Sequence, residues 1–424
     1  MDSFFAALFH VTLFILIYGL IGRTLRDRFF LSVPMLCVFY GLLIGPSFLN
    51  FLNTRYTTSK EVLFYLSKTL LCMQTMAAAM SLPHGYILKQ KMSIIGLVAI
   101  VGIAKYMVTA CVTYFFSKYN FLVSLAIAAC LTPTDPVLTS SIINSKFANT
   151  YVPERLRNLI QAESGINDGF GLLLLYIPID FMFGSNVEDS VLNLFFSTVV
   201  YKGIFAGLIG LVFGYIARKA LHKCHSKDMV DGETFLVYGL TLTFFILGLM
   251  ELLKMSELVG IFFAGTGFSW DEWFVFETRE CKLQEIVDNL CTCTFFILFG
   301  SRIELSFLSY GLFVFSIMII CFRRLLICIF LKGIVPEVMS AREAVFVGWL
   351  GPIGVGALYY SLYFDAVAKT LTYNSVSIVV MFSVIIHGIV MIILRICFSG
   401  KKYLKEWGIP FSDVCSESFV STEW

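Results

Sequence analysis

"LTPTDPVLTSS", residues 131–141, closes one of the most apolar stretches of the chain and decides how the rest is read. Pro133 and Pro136 bracket Thr134 and Asp135. Proline lacks an amide donor and clashes with the preceding turn, so this pair predicts a helix broken inside an apolar segment. Irregular backbone at membrane depth is tolerated only where protein or a water-filled cavity surrounds it. Its freed amides and carbonyls then need partners, or they become ligands. Asp135 sits at the break, either as a ligand or as a local cap on the helix that resumes.

The composition agrees with a membrane setting. Of 424 residues, 58% are hydrophobic and 14% charged, with a mean hydropathy of +0.84. A soluble domain is about half apolar and about a quarter charged. The net charge of +2 offers no basic surface for nucleic acid. The 12 cysteines fall mostly in apolar runs and read as reduced, buried thiols rather than a disulfide framework. His222-Lys223-Cys224-His225 reads as a basic cytosolic loop rather than a metal site. The first apolar run, residues 4–20, has no basic leader or small-residue cleavage site, so it is read as a span and not a signal peptide.

A membrane-spanning helix needs about 20 apolar residues. Stretches bounded by charges or Gly/Pro punctuation fall at 4–20, 30–49, 62–82, 93–116, 121–143, 156–182, 191–217, 234–253, 257–269, 284–300, 307–331, 341–363 and 372–397, about 13 transmembrane helices in an all-α polytopic protein. Loop charge tests that alternation. On one side the basic residues are Arg55, Lys60, Lys118, Lys202, Lys254, Arg302 and Lys369; Lys68, Lys105, Arg323, Arg324 and Arg395 lie in spans. The rest of the 31 Lys and Arg fall on the other side. The positive-inside bias then puts the N-terminus outside and the C-terminus in the cytoplasm. No separate soluble domain is expected after Lys405.

Two further polar stretches interrupt the apolar runs. In "AESGINDG", residues 162–169, Glu163 and Asp168 stand five residues apart, about 140° around a helix, so they need different partners. A charge at membrane depth is expensive and marks a functional candidate. One acid is therefore read as structural and the other as an ion site, with Ser164 and Asn167 beside it. In "GWLGPIGVGALYYS", residues 348–361, Gly351, Pro352 and Gly354 predict a second broken helix. The two broken stretches, fifth and twelfth, are separated by an odd number of spans and so run in opposite senses. That is the signature of an inverted repeat, spans 4–6 against 11–13, with a site near the midplane. Arg323-Arg324 in the eleventh span requires a carboxylate partner. Glu163 is the natural candidate, which leaves Asp168 free to titrate. Lys68 and Gln74 in the third span read as structural. Asp288 reads as an interfacial charge or as a group that draws cations in.

"TPTDPVLTSS", "RNLIQAESGINDG" and "FVGWLGPIGVGALYYS" together resemble the monovalent cation/proton antiporter family, and most of all the fungal plasma-membrane Na+/H+ antiporters. "GLLIGPSFLN" (41–50), "LCMQTMAAAMSLPHGY" (71–86), "FFAGTGFSWDEWF" (262–274) and "VDNLCTCTFFILFGS" (287–301) fit the same likeness. The resemblance implies the NhaA/NhaP-like antiporter fold, with two broken helices crossing near Asp168, and a homodimer in the lipid bilayer of the plasma membrane. It implies scaffold helices in 1–90 and 231–303, core helices in 91–183 and 304–398, a linking helix in 184–230 and a short tail in 399–424. Asp168 would carry the cation or protons, Asn167 would mark an electroneutral member, and Arg324 fits slightly better than Arg323 as the partner of Glu163. Two residues depart from the pattern: Trp349, where a histidine is expected, and Pro133, where a small residue is more usual. The fungal proteins often carry a long cytoplasmic tail, so tail-based regulation is not expected here.

The chemistry that follows is competition at one acid. Asp168 binds a cation when ionised and releases it when protonated. Exchange near neutral pH requires that carboxyl to take a proton there, which burial in a poorly solvated cavity favours. Asp168, Ser164 and Thr134 supply hard oxygens for Na+, with Asp135 at the helix break. One titratable acid predicts one proton per cation. The transported ions are Na+, Li+ or K+ and H+, with no cofactor. A channel with the same acids, an anion or organic-solute carrier and a membrane enzyme are the competing readings. The last lacks a nucleophile–base or metal set, since the five histidines form no intramembrane cluster.

Overall fold

The computed structural model describes residues 2–29, 31–52, 60–117, 119–143, 148, 152–278 and 283–398. Among these, the ordered elements are all helical. The longer ones are α1 (Asp2–Phe29), α2 (Val33–Ile44), α3 (Lys60–Met80), α4 (Lys91–Phe116), α5a (Phe121–Leu131), α5b (Pro136–Ile143), α6 (Glu154–Phe183), α7 (Val187–His225), α8 (Gly232–Leu252), α9 (Glu257–Phe268), α10 (Leu283–Ser301), α11 (Tyr310–Phe330), α12a (Ala341–Trp349), α12b (Val355–Ala368) and α13 (Thr372–Phe398). By length and composition, nine helices among the described residues are apolar enough to cross a membrane. Three shorter apolar ones, in α2, α9 and α10, lie between them. The predicted tail, residues 399–424, and the loop charges Arg55, Lys118, Lys146, Arg279 and Lys282 lie outside the described residues.

Local chemistry sets the helix starts. Asn120 accepts the amide of Val123 at 2.8 Å to open α5a, and Asp231 accepts that of Thr234 at 2.7 Å to open α8. Ser309 and Ser340 do the same for α11 and α12a. Each side chain satisfies a first-turn amide that the helix itself leaves free. His222-Lys223-Cys224-His225 is not a loop, as its charges suggested, but the last turn of α7. Its two imidazoles face the Trp273 ring, at centroid distances of 4.6 and 5.5 Å. Aromatic packing carries the helix on where hydropathy alone would end it.

Small residues bring the backbones together. Gly210 and Gly214 of α7 lie directly on the carbonyls of Gly260 and Ala264 in α9, and Gly41 of α2 and Gly45 just after it meet α10 at Ile297, Gly300 and Ser301. In lipid, where apolar surface alone drives no association, such close approach supplies the packing energy. α9 and α10 both lie against α3. A second set of helices packs among itself: α4 and α6 on α5a, α11 on α13, and α12b on α13. The sets meet where α3 and α9 touch α6, and where α3 touches α12b. Asp168 of α6 faces α12b close to that junction.

Candidate functional site

The fifth stretch is broken as predicted, between Leu131 and Pro136. Pro136 opens α5b, where its missing amide costs nothing. Asp135 turns both carboxylate oxygens onto free helix amides. Oδ1 accepts from Val137 and Leu138 of α5b, each at 2.9 Å, and Oδ2 accepts from Val355, the first residue of α12b, at 2.8 Å. Its own amide donates to the Pro352 carbonyl at 2.8 Å. One carboxylate therefore caps two half-helices, and its negative charge sits where their partial positive charges converge. Pro133 lies against Gly171 of α6, where any β-carbon would strike the ring.

The break in the twelfth stretch, residues 350–354, is equally well accounted for. The Trp349 carbonyl faces Nε2 of His387 at 3.2 Å, and the Gly351 carbonyl accepts from Arg323 at 3.1 Å. The Ile353 amide donates to Ser383 Oγ at 2.7 Å. With the Pro352 carbonyl and the Val355 amide on Asp135, the irregular backbone has lost few of its hydrogen bonds, although it is buried. Gly354 lies so close to the Asp135 carboxylate that a β-carbon would overlap it.

On α6 the two acids part, as their angular separation requires. Glu163 pairs with Arg324 at 2.5 Å through Oε2, and Lys105 Nζ of α4 approaches its Oε1 at 3.5 Å. Arg324, not Arg323, is therefore the partner; both stand at an interruption of α11 between Phe322 and Leu325. Asn167 donates to Thr134 Oγ1 at 2.7 Å and accepts the Thr134 amide at 3.3 Å. Thr134 Oγ1 lies 3.1 Å from Ser164 Oγ. The helix break is thereby tied to α6 through three side chains.

Asp168 stands apart from this network. It is 1% exposed, and neither carboxylate oxygen has a hydrogen-bond partner among the described residues. Its main-chain carbonyl accepts from the Tyr360 hydroxyl at 2.8 Å. A methyl group at Gly356 would come within 3.2 Å of Oδ1, so the carboxylate faces the first turn of α12b. Thr134, Ser164 and Asn167 are thus joined by hydrogen bonds, and the Asp168 carboxylate is bonded to none of them. A buried acid with two free oxygens, at the positive end of a half-helix, is set to accept a proton or a small cation.

A family profile described as sodium/hydrogen exchanger, transmembrane, matches residues 11–396. The chain belongs to the sodium/hydrogen exchanger family. Among curated members, the Na(+)/H(+) antiporter 2 of Zygosaccharomyces rouxii is 31% identical over 83% of this chain and 45% of its own length. The Na(+)/H(+) antiporter of Saccharomyces cerevisiae is 32% identical over 83% and 37%. A probable Na(+)/H(+) antiporter of Schizosaccharomyces pombe is 33% identical over 82% and 47%. The exchanger chain thus spans less than half the length of these relatives. The sodium proton antiporter MjNhaP1 of Methanocaldococcus jannaschii has the same fold, with a TM-score of 0.69 over 96% of this chain and 100% of that one, at 16% identity. This confirms the antiporter fold expected from the motifs.

Several groups in and around this site escaped the sequence reading. Lys105 is visible there only as a lysine in an apolar run, with no sign of its partner. Ser383 and His387 carry no local mark of their role at the α12 break. Glu257 reads as the opening residue of a short span; in the structure it accepts from the Tyr359 hydroxyl at 2.5 Å.

Proposed function

We propose that this chain is a secondary active antiporter, not an enzyme, exchanging Na+ for H+ across a membrane by alternating access. The observation that carries the reading is the Asp168 carboxylate, buried and unbonded where two broken helices meet whose first-turn amides Asp135 already caps. Asp135 and Glu163 are already engaged, so Asp168 is the acid left to exchange. Thr134 and Ser164 offer further oxygens near it, suited to a hard monovalent cation, and Li+ or K+ would use the same set. Asp135 serves as the double cap rather than as a ligand. Family membership and the relatives' names as Na(+)/H(+) antiporters support the substrate pair.

With one free acid, each cycle carries one proton against one cation, so the exchange is electroneutral. The helices packed around α5 and α12 form the moving core; α1–α3 and α8–α10 form the scaffold of a homodimer, with α7 as the link. All thirteen stretches cross the membrane, with the N-terminus outside and the C-terminus in the cytoplasm, in the plasma membrane. Satisfied breaks also favour a carrier over a channel, since they hold the half-helices as rigid units rather than lining an open pore.

The test is proton flux in sealed proteoliposomes with a preset pH gradient. Added Na+ collapses the gradient in wild type and not in Asp168→Asn. Collapse that persists in Asp168→Asn removes Asp168 from the exchange. A membrane potential is the second arm: about 2.3 kcal/mol acts on each net charge per 100 mV, so a shift, with the potential, of the Na+ and H+ gradients at which net flux stops rules out one-for-one exchange.

A further inference from the structure

Tyr359 and Tyr360, neighbours on α12b, reach in different directions. Tyr360 holds the Asp168 carbonyl, and Tyr359 donates to Glu257 Oε1 at 2.5 Å. That same Glu257 oxygen lies 3.8 Å from Lys68 Nζ, and Lys68 also pairs closely with Glu251. The ammonium stands 5.9 Å from the ring centroids of both Phe64 and Tyr359. Side-chain exposure falls from 50% at Glu251 to 12% at Lys68 and 5% at Glu257, and Asp168 is 1% exposed. A row of charged and hydroxyl groups thus runs from the surface to the tyrosine pair that contacts the Asp168 backbone.

Nothing in the exchange chemistry uses this row, and stability accounts for it poorly. A half-exposed pair contributes little, and a buried one is often no better than apolar residues of the same volume. Its make-up matches that of a cation site: two carboxylates, a phenol oxygen and two aromatic faces around one monovalent ammonium. Two acids face one base, so the row keeps an excess negative charge that attracts cations even with Lys68 in place. It also bridges α3, α8 and α9 to α12b, where the two helix sets meet.

We propose that Lys68 is a tethered cation occupying the approach to Asp168 from the face where α3 begins. A cargo ion arriving there must displace the ammonium from Glu257, so Lys68 sets the apparent cation affinity on that face without touching Asp168. The inference rests on exchange at Asp168. It makes Lys68 a specificity-determining residue acting on one face only.

Sided exchange assays test it. In Lys68→Gln, the half-saturating Na+ concentration on the α3-start face falls about tenfold, the equivalent of removing about 1.4 kcal/mol of competition. The value on the opposite face and the maximal rate stay at wild type. Lys68→Arg restores the wild-type value, and Glu257→Gln added to Lys68→Gln abolishes the gain. Equal shifts on both faces, or no shift on either, overturn the proposal. The wild-type protein supplies a second readout independent of any variant's folding. Acylation of Lys68 by a charged, amine-reactive active ester, which forms the amide and releases its alcohol leaving group, rises with Na+ and not with N-methylglucamine when read by mass spectrometry. Acylation indifferent to Na+ overturns the proposal. Wild type without exchange, but with Na+-dependent acylation, contradicts the exchange reading and leaves the tethered cation standing.

Discussion

Arg324 Nη2 lies 2.5 Å from Glu163 Oε2, while the adjacent Arg323 turns to the Gly351 carbonyl. Two neighbouring guanidiniums thus do separate work: one neutralises a buried acid and the other satisfies a broken helix. Lys105 on the far oxygen of Glu163 makes the acid the hub of the arrangement.

Removing the hub is therefore worse than removing one spoke. Glu163→Ala leaves Arg324 and Lys105 buried without their partner, whereas Arg324→Ala leaves Glu163 with Lys105. Breaking a buried pair costs about 3–5 kcal/mol. Thermal unfolding in detergent should place Glu163→Ala clearly below Arg324→Ala. The reverse order would mean that Lys105 does not share the charge.

Asp135 accepts three amides on two oxygens, and a carboxamide in its place would present only one oxygen. Asp135→Asn should lose either the α5b cap or the Val355 contact, at about 1.5–3 kcal/mol for hydrogen bonds to a charged group. Asp135→Ala loses both and should be less stable still. Hydrogen exchange by mass spectrometry, read over residues 136–140 and 350–360, would show one of the two half-helix starts opening in Asp135→Asn, both opening in Asp135→Ala, and neither much changed in Asp168→Asn.

Asp168→Asn should do the opposite to stability. An unpartnered buried carboxyl is held at a cost to the fold. A neutral amide of nearly the same shape lowers that cost where charge is the larger part of it. The expected outcome is a higher unfolding temperature together with lost exchange, the trade-off typical of a functional site. A lower unfolding temperature would show that the carboxylate has a structural partner.

The Ile353 amide depends on Ser383 Oγ. Ser383→Ala leaves that buried donor unsatisfied, at about 1–3 kcal/mol. Gly354→Ala should be more damaging, because the new methyl meets the Asp135 carboxylate, while Gly333→Ala, with open space around it, should be silent. Unfolding temperatures of the three variants check the order.

Proline pairs, glycines and lone acids in greasy runs were enough to find both helix breaks, the parting of Glu163 from Asp168 and the exchanger motifs. Such signals are local: each is written within a dozen residues. What closes the breaks is not. Ser383 and His387 lie 30 or more residues from the atoms they serve, and Glu257 lies 102 from Tyr359. A lone Lys105 could be seen, but nothing in its neighbours points to α6. Asp135 was legible as a polar residue at a break, yet its bond to Val355 across 220 positions was not. Between the adjacent arginines the resemblance gave only a lean towards Arg324, and the turn in α11 that separates their directions is announced by no residue there.

The buried ionisable groups around the break also form an inventory. Lys105, Arg323 and Arg324 stand against Asp135, Glu163 and Asp168, all nearly inaccessible. In their ordinary charge states the six sum to zero. Loading Asp168 with Na+ or with H+ gives this buried cluster the same single positive charge. Under the proposed cycle, each leg then carries one charge through the membrane field, in opposite directions. A voltage would tilt the balance between the two facing states and could slow or speed either leg. The full turn would still do no net electrical work.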